Sequence, residues 1–172
     1  MKKLFLLFFV VCVAISVNAQ LYVGGSLSTW INETTTTETT TIKFLPEVGF
    51  SVSGRWAFGT VLGYTRKDVD SKVTTETFEF APYARFSFYR TELVRLFVDG
   101  GFSFYSSEVG KADPEYTYSA GLQPGVALDL SEKVSLVAKF GFFGYRQYGD
   151  EEDAYGFSID GNGLSLGVYY TF

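Results

Sequence analysis

The 172-residue chain has no histidine, one cysteine and one methionine. Without histidine there is no Ser-His-Asp or Cys-His apparatus, because each needs an imidazole to take up the nucleophile's proton near neutral pH. The single cysteine, Cys12, lies in the N-terminal apolar run, so everything after it lacks a thiol nucleophile, a disulfide and a Cys/His metal set. Stability must therefore come from burial, backbone pairing or a membrane. No stripe of apolar residues recurs at the helical period, and no apolar run reaches the roughly 20 residues that a membrane-spanning helix needs. Basic residues are scarce as well. The 14 Lys and Arg face 19 Asp and Glu, a net charge of −5, and nucleic acid is not expected as a partner.

Aromatic residues and glycine are abundant. Eighteen Phe, 12 Tyr and 18 Gly are unusual in a soluble domain, but they fit a sheet with bilayer-facing rings and a crowded interior. Residues 1–19 read as a cleaved signal peptide: Lys2 and Lys3, the apolar run Leu4 to Ile15, then Val17-Asn18-Ala19 with small residues at the cleavage site. A lipoprotein signal at Cys12 fits poorly, since Val11 is not small and the apolar run continues past it. Cleavage removes only basic charge and leaves one domain, residues 20–172, with 12 basic against 19 acidic residues.

That domain holds eight segments with period-two alternation: about 20 to 31, 42 to 53, 57 to 67, 76 to 89, 94 to 105, 116 to 129, 134 to 146 and 157 to 172. The connections alternate in character. Those after the odd strands are long and polar: Asn32 to Thr41, Asp68 to Thr75, Ser106 to Glu115 and Gln147 to Gly156. Those after the second, fourth and sixth strands are tight: Gly54-Arg55-Trp56, Arg90 to Leu93 and Leu130 to Lys133. An even strand number with short turns at one end and long loops at the other predicts an all-β fold, an eight-stranded antiparallel up-and-down transmembrane barrel. Pro46, Pro82 and Pro124 recur once per hairpin in the even strands. A closed barrel has no edge to hold them, so each is expected at a bulge or a missing ladder bond.

Parity decides which face meets lipid. One face carries Phe44, Val48, Phe58, Leu62, Phe78, Phe80, Phe102, Leu122, Phe140 and Phe142, among others; the opposite face carries Glu47, Glu79, Arg85, Asp99 and Lys139 among many glycines. A lipocalin-like barrel would enclose the Phe cluster and expose the glycines, where they contribute nothing. Turned inward, the glycines make room for charged side chains in a narrow tube. A basic residue turned toward lipid costs up to about 2 to 4 kcal/mol at midplane. Arg85 and Asp99 are about equally far from the turn between the fourth and fifth strands, which predicts a salt bridge within an interior charge network of Glu47, Glu79, Arg85, Asp99 and Lys139. The acidic run Asp150 to Asp153 reads as a solvated loop tip rather than a calcium site. No cofactor is expected.

The segments Asp99-Gly100-Gly101-Phe102 and Phe140-Gly141-Phe142-Phe143-Gly144-Tyr145, with the terminal Tyr170-Thr171-Phe172, resemble the small OmpA/OmpX-like outer-membrane β-barrel family. The aromatic-rich form is similar to those of Bacteroides-type bacteria. The resemblance implies residence in the outer membrane of a Gram-negative bacterium, with outer-membrane lipid as partner. It also implies that Tyr170 and Phe172 form the signal read by the barrel-assembly machinery. The role implied is non-enzymatic: a structural or surface-interaction barrel with a plugged polar interior and four exposed loops that could meet a surface partner. The alternative is a narrow or gated pore for small solutes.

Overall fold

The computed structural model describes residues 20–34, 37–69, 73–110, 113–148, 152–158 and 165–172, and the expected signal peptide lies outside them. Ten strands are described: β1 Gln20–Thr34, β2 Thr37–Ser51, β3 Trp56–Val69, β4 Val73–Arg90, β5 Val94–Val109, β6 Glu115–Asp129, β7 Val134–Lys139, β8 Phe142–Tyr148, β9 Glu152–Ser158 and β10 Ser165–Thr171. All pairings are antiparallel. β1 to β6 form a meander; β6 then pairs with both β7 and β8, β8 with β9, and β7 with β10, which returns to β1. β7 with β8 occupies the seventh barrel position and β9 with β10 the eighth. The result is a closed eight-stranded antiparallel barrel. Closure runs through Tyr22↔Thr171, Val23↔Tyr170, Gly24↔Tyr169 and Gly25↔Val168, and the Phe172 amide donates to the Leu21 carbonyl at 2.9 Å. This ladder matters because a strand edge left in hydrocarbon would carry backbone groups with no water to satisfy them.

The three tight turns share one local device. Ser53-Gly54-Arg55-Trp56, Thr91-Glu92-Leu93-Val94 and Ser131-Glu132-Lys133-Val134 each begin with a hydroxyl and end on the first residue of a strand. The hydroxyl accepts from the amide three residues on: Trp56 N to Ser53 Oγ at 3.1 Å, Val94 N to Thr91 Oγ1 at 2.9 Å, Val134 N to Ser131 Oγ at 3.1 Å. Such a bond fixes the chain reversal and with it the register of the following strand.

The long polar connections are not loops over most of their length. Asn32 pairs with Thr39, Asp68 with Thr74, Ser106 with Tyr116 and Gln147 with Asp153. Threonine and valine favour extended backbone even where both faces of the hairpin are wet, so pairing continues past the oily band. β4, with 18 residues, would extend about 59 Å at roughly 3.3 Å per residue, whereas a tilted spanning strand needs only about 9 to 11 residues. The odd-to-even hairpins therefore stand well clear of a bilayer.

The prolines interrupt the ladders on one side only. Pro46 pairs with Gly25 on β1, but the β2–β3 ladder skips from Phe44↔Tyr64 to Glu47↔Val61. Pro82 pairs with Thr60 on β3, while the β4–β5 ladder skips from Phe80↔Phe104 to Tyr83↔Gly101. At Pro124 the change is larger. The Phe140 amide donates to the Pro124 carbonyl at 3.0 Å, Gly141 adopts φ 68°, and the register shifts by one residue between Gly125↔Lys139 and Leu122↔Phe143. A residue in this left-handed conformation inside a strand makes a bulge, and glycine adopts it without a Cβ clash. The bulge reverses parity, so the expected outward position of Phe142 is corrected. Its ring lies inside against Gly121 and Gly144, while Phe143 is exposed on the outer face.

Outward, Phe44, Phe58, Leu62, Phe80, Phe102, Leu122, Leu166 and Val168 are exposed apolar side chains, a band far larger than any patch a soluble monomer tolerates. Phe102 stands in this band, 57% exposed. Phe102→Arg is expected to destabilise the folded barrel by about 2 to 4 kcal/mol, measured by urea unfolding in lipid vesicles. A loss below about 0.5 kcal/mol, the usual surface effect, would mean that this face does not meet hydrocarbon.

Candidate functional site in the barrel interior

Near the tight-turn end of the tube, side chains from six strands converge on one buried layer. Asp99 of β5 faces Arg85 of β4 directly across the ladder. Arg85 Nε donates to Asp99 Oδ1 at 2.7 Å and Nη2 to Oδ2 at 2.8 Å, a two-pronged pairing of the strong kind that matches guanidinium to carboxylate shape. Lys139 of β7 donates to Glu47 Oε2 at 2.8 Å and lies 3.2 Å from Asp99 Oδ2; Arg85 Nη2 reaches Glu47 Oε1 at 3.3 Å. Two cations and two anions thus neutralise one another. Tyr169 donates to Glu47 Oε2 at 2.6 Å, Tyr83 donates to Glu47 Oε1, and the Tyr22 and Tyr83 hydroxyls are 2.6 Å apart.

Cross-strand register makes room for this layer. Each of its aromatic residues stands opposite a glycine: Tyr22↔Gly49, Gly24↔Tyr169, Gly59↔Tyr83 and Phe97↔Gly125. A Cβ at Gly59 would lie 2.6 Å from the Tyr83 hydroxyl, and one at Gly125 would run into the Phe97 ring. Phe97 is fully buried, and the Arg85 guanidinium lies 4.1 Å from its ring centroid. The cation is thereby held on a ring face as well as by carboxylates.

Glu47, Arg85, Asp99 and Lys139 therefore come together, all within the buried interior. Glu79 does not join them. It faces Gly63 and Tyr105 farther along the tube and forms no ion pair among the described residues. The tyrosines and Phe97 were missing from the expected network; the signal that could have found them is that each faces a glycine once strands are aligned from their tight turns. Tyr170 and Phe172 lie on the outer surface, rings edge to face at 5.1 Å. Of the acidic run, Asp150 and Glu151 lie outside the described residues.

The layer divides the lumen. On the tight-turn side is a cavity of about 740 Å³ bounded by Tyr22, Arg85, Arg95 and Asp129; Arg95 Nη2 and Ser135 Oγ both donate to Asp129 Oδ1, at 3.1 and 2.7 Å. On the other side is one of about 240 Å³ bounded by Glu79, Tyr105, Phe142 and Arg146, with Glu47, Asp99 and Lys139 at its floor.

No protein-family model matches the chain, and no curated protein matches it by sequence. Among solved structures it is similar to Neisserial surface protein A, at 15% identity and TM-score 0.54, over 90% of this chain and 96% of that one. Two weaker similarities are to Ail of Yersinia pestis (15% identity, TM-score 0.44, 90% and 99% of the chains) and to OmpT of Vibrio cholerae (13%, 0.42, 91% and 52%). The likeness to the neisserial protein is one of fold, an eight-stranded barrel of the outer-membrane kind.

Removing one member of the layer should cost more than removing a pair. Asp99→Leu leaves Arg85 buried without its main partner and is expected to lower unfolding free energy by about 3 to 5 kcal/mol. Arg85→Met with Asp99→Leu leaves the Glu47–Lys139 pair neutral and should recover most of that loss. Urea titrations of the single and double variants check both values.

Proposed function

We propose that the protein is an integral outer-membrane barrel of the small OmpA/OmpX-like kind, in the aromatic-rich form similar to those of Bacteroides-type bacteria. In this reading it is exported by the signal at residues 1–19, inserted through recognition of Tyr170 and Phe172 by the barrel-assembly machinery, and held by outer-membrane lipid. Its task is to carry four stiff hairpins outside the cell as a surface for interaction. The observation that supports this best is the mutual satisfaction of Glu47, Arg85, Asp99 and Lys139 across the lumen. A tube sealed by a neutral, hydrogen-bonded layer is suited to be a rigid support. The hairpins contribute exposed rings, Tyr155 at 91% and Phe157 at 76% exposure, of the kind enriched in binding surfaces.

One observation favours a second reading, a gated pore for small solutes. The two cavities approach each other from opposite ends, and Tyr169 borders both, so the seal is a single layer of side chains.

Planar-bilayer recording separates the readings. The sealed barrel is expected to give no steady conductance, and a strain lacking the gene should keep its envelope permeability while losing surface adhesion. Steady single-channel openings in the wild type, closed by cross-linking the plug, would favour the pore. Assembly is tested separately: Phe172→Ala is expected to reduce the heat-modifiable, folded fraction in the outer membrane several-fold, and unchanged insertion would remove Phe172 from the signal.

A further inference from the structure

Glu79 is an interior carboxylate that the sealing layer does not use. It projects from β4 into the 240 Å³ cavity, where Gly63 across the ladder leaves it space: a Cβ at that glycine would lie 2.9 Å from Glu79 Oε2. Lys43 of β2 and Lys139 at the cavity floor both act on Glu79, but neither forms an ion pair with it among the described residues, and Lys139 already serves Glu47 and Asp99. The Tyr105 hydroxyl stands beside the Glu79 carboxylate, as its neighbour on β5. A carboxylate taken partly out of water with no cation in direct contact is unfavourable and draws one to itself. The rest of the wall suits an organic cation better than a bare ion. Ser103, Ser119 and Ser165 offer hydroxyl oxygens to N–H donors, and the Phe142 ring, with the Arg146 guanidinium over it at 4.4 Å from its centroid, leaves apolar edge for a short alkyl part.

We propose that this cavity binds a small molecule bearing a primary ammonium group, with Glu79 as its counter-ion. The ammonium sits between the Glu79 carboxylate and the serine hydroxyls, and its short alkyl part lies along Phe142. The site is independent of whether the layer beneath it conducts, because that layer forms its floor in either state.

The test uses the full chain folded in detergent micelles, with n-propylammonium chloride as probe and amide chemical shifts as readout. Saturable shifts are expected at Glu79, Ser103 and Tyr105. The neutral isostere 1-propanol is expected to bind at least about tenfold more weakly, a difference of about 1.4 kcal/mol, and Glu79→Gln to weaken propylammonium binding by a similar factor. Equal binding of 1-propanol, unchanged affinity in Glu79→Gln, or no saturable shift in the wild type would each overturn the proposal. The comparison of propylammonium with 1-propanol needs no variant and stands even if Glu79→Gln failed to fold. Conductance of the same preparation, recorded separately, reports on the sealed-barrel reading alone.

Discussion

The interior is organised by one carboxylate. Glu47 of β2 receives Lys139 from β7, Arg85 and Tyr83 from β4, and Tyr169 from β10, so elements from separate parts of the wall are tied through a single group. In a narrow tube with little water, an ionised carboxylate is tolerable only when its lone pairs are filled by donors and its charge is balanced nearby. Both conditions hold here. Their effect on net stability is modest, because desolvation offsets much of the attraction, but any other register would strand one of these charges. The layer therefore specifies which strands lie opposite which.

That specification works only because the wall is thin where the layer is thick. Tyr22, Tyr83, Tyr169 and Phe97 each lie over a cross-strand glycine, an exchange of volume that keeps the tube full without widening it. The same economy places the prolines. Pro46, Pro82 and Pro124 belong to the outward parity, so their missing amides interrupt a ladder on one side without disturbing the charged layer. At Pro124 the interruption also becomes a change of facing, since the bulge at Gly141 turns Phe142 and Arg146 toward the lumen. The upper cavity owes the Phe142 and Arg146 part of its wall to that one extra residue.

Outside the oily band the constraint changes. Paired backbone groups in the projecting hairpins compete with water, and β-branched residues supply the preference for extended chain there. Tyr64 donates to Glu76 at 3.0 Å and Tyr145 to Asp153 at 2.6 Å, fastening the hairpins above the band with contacts that do not depend on lipid. The lower tube and the upper hairpins are thus held by separate sets of contacts.

The sequence by itself determined the barrel. Period-two alternation, segregation of charge from the Phe-rich face and the order of short and long connections are local properties, and each follows from a backbone that must be fully paired and a bilayer that tolerates no charge. The Arg85–Asp99 pairing was also legible, because both residues are counted from one tight turn. The extent of the hairpins was not, since polar threonine-rich stretches read as loops until a partner strand supplies their ladder. Nor was the inward turn of Phe142, which depends on a bulge created by the missing amide of Pro124 on the neighbouring strand. How Glu47 and Lys139 reach the Arg85–Asp99 pair across the lumen, and that Glu79 is left out, was decided only by the tertiary structure. Strands distant in sequence are brought face to face by closure of the barrel, and their relative height is set by the whole chain of registers between them.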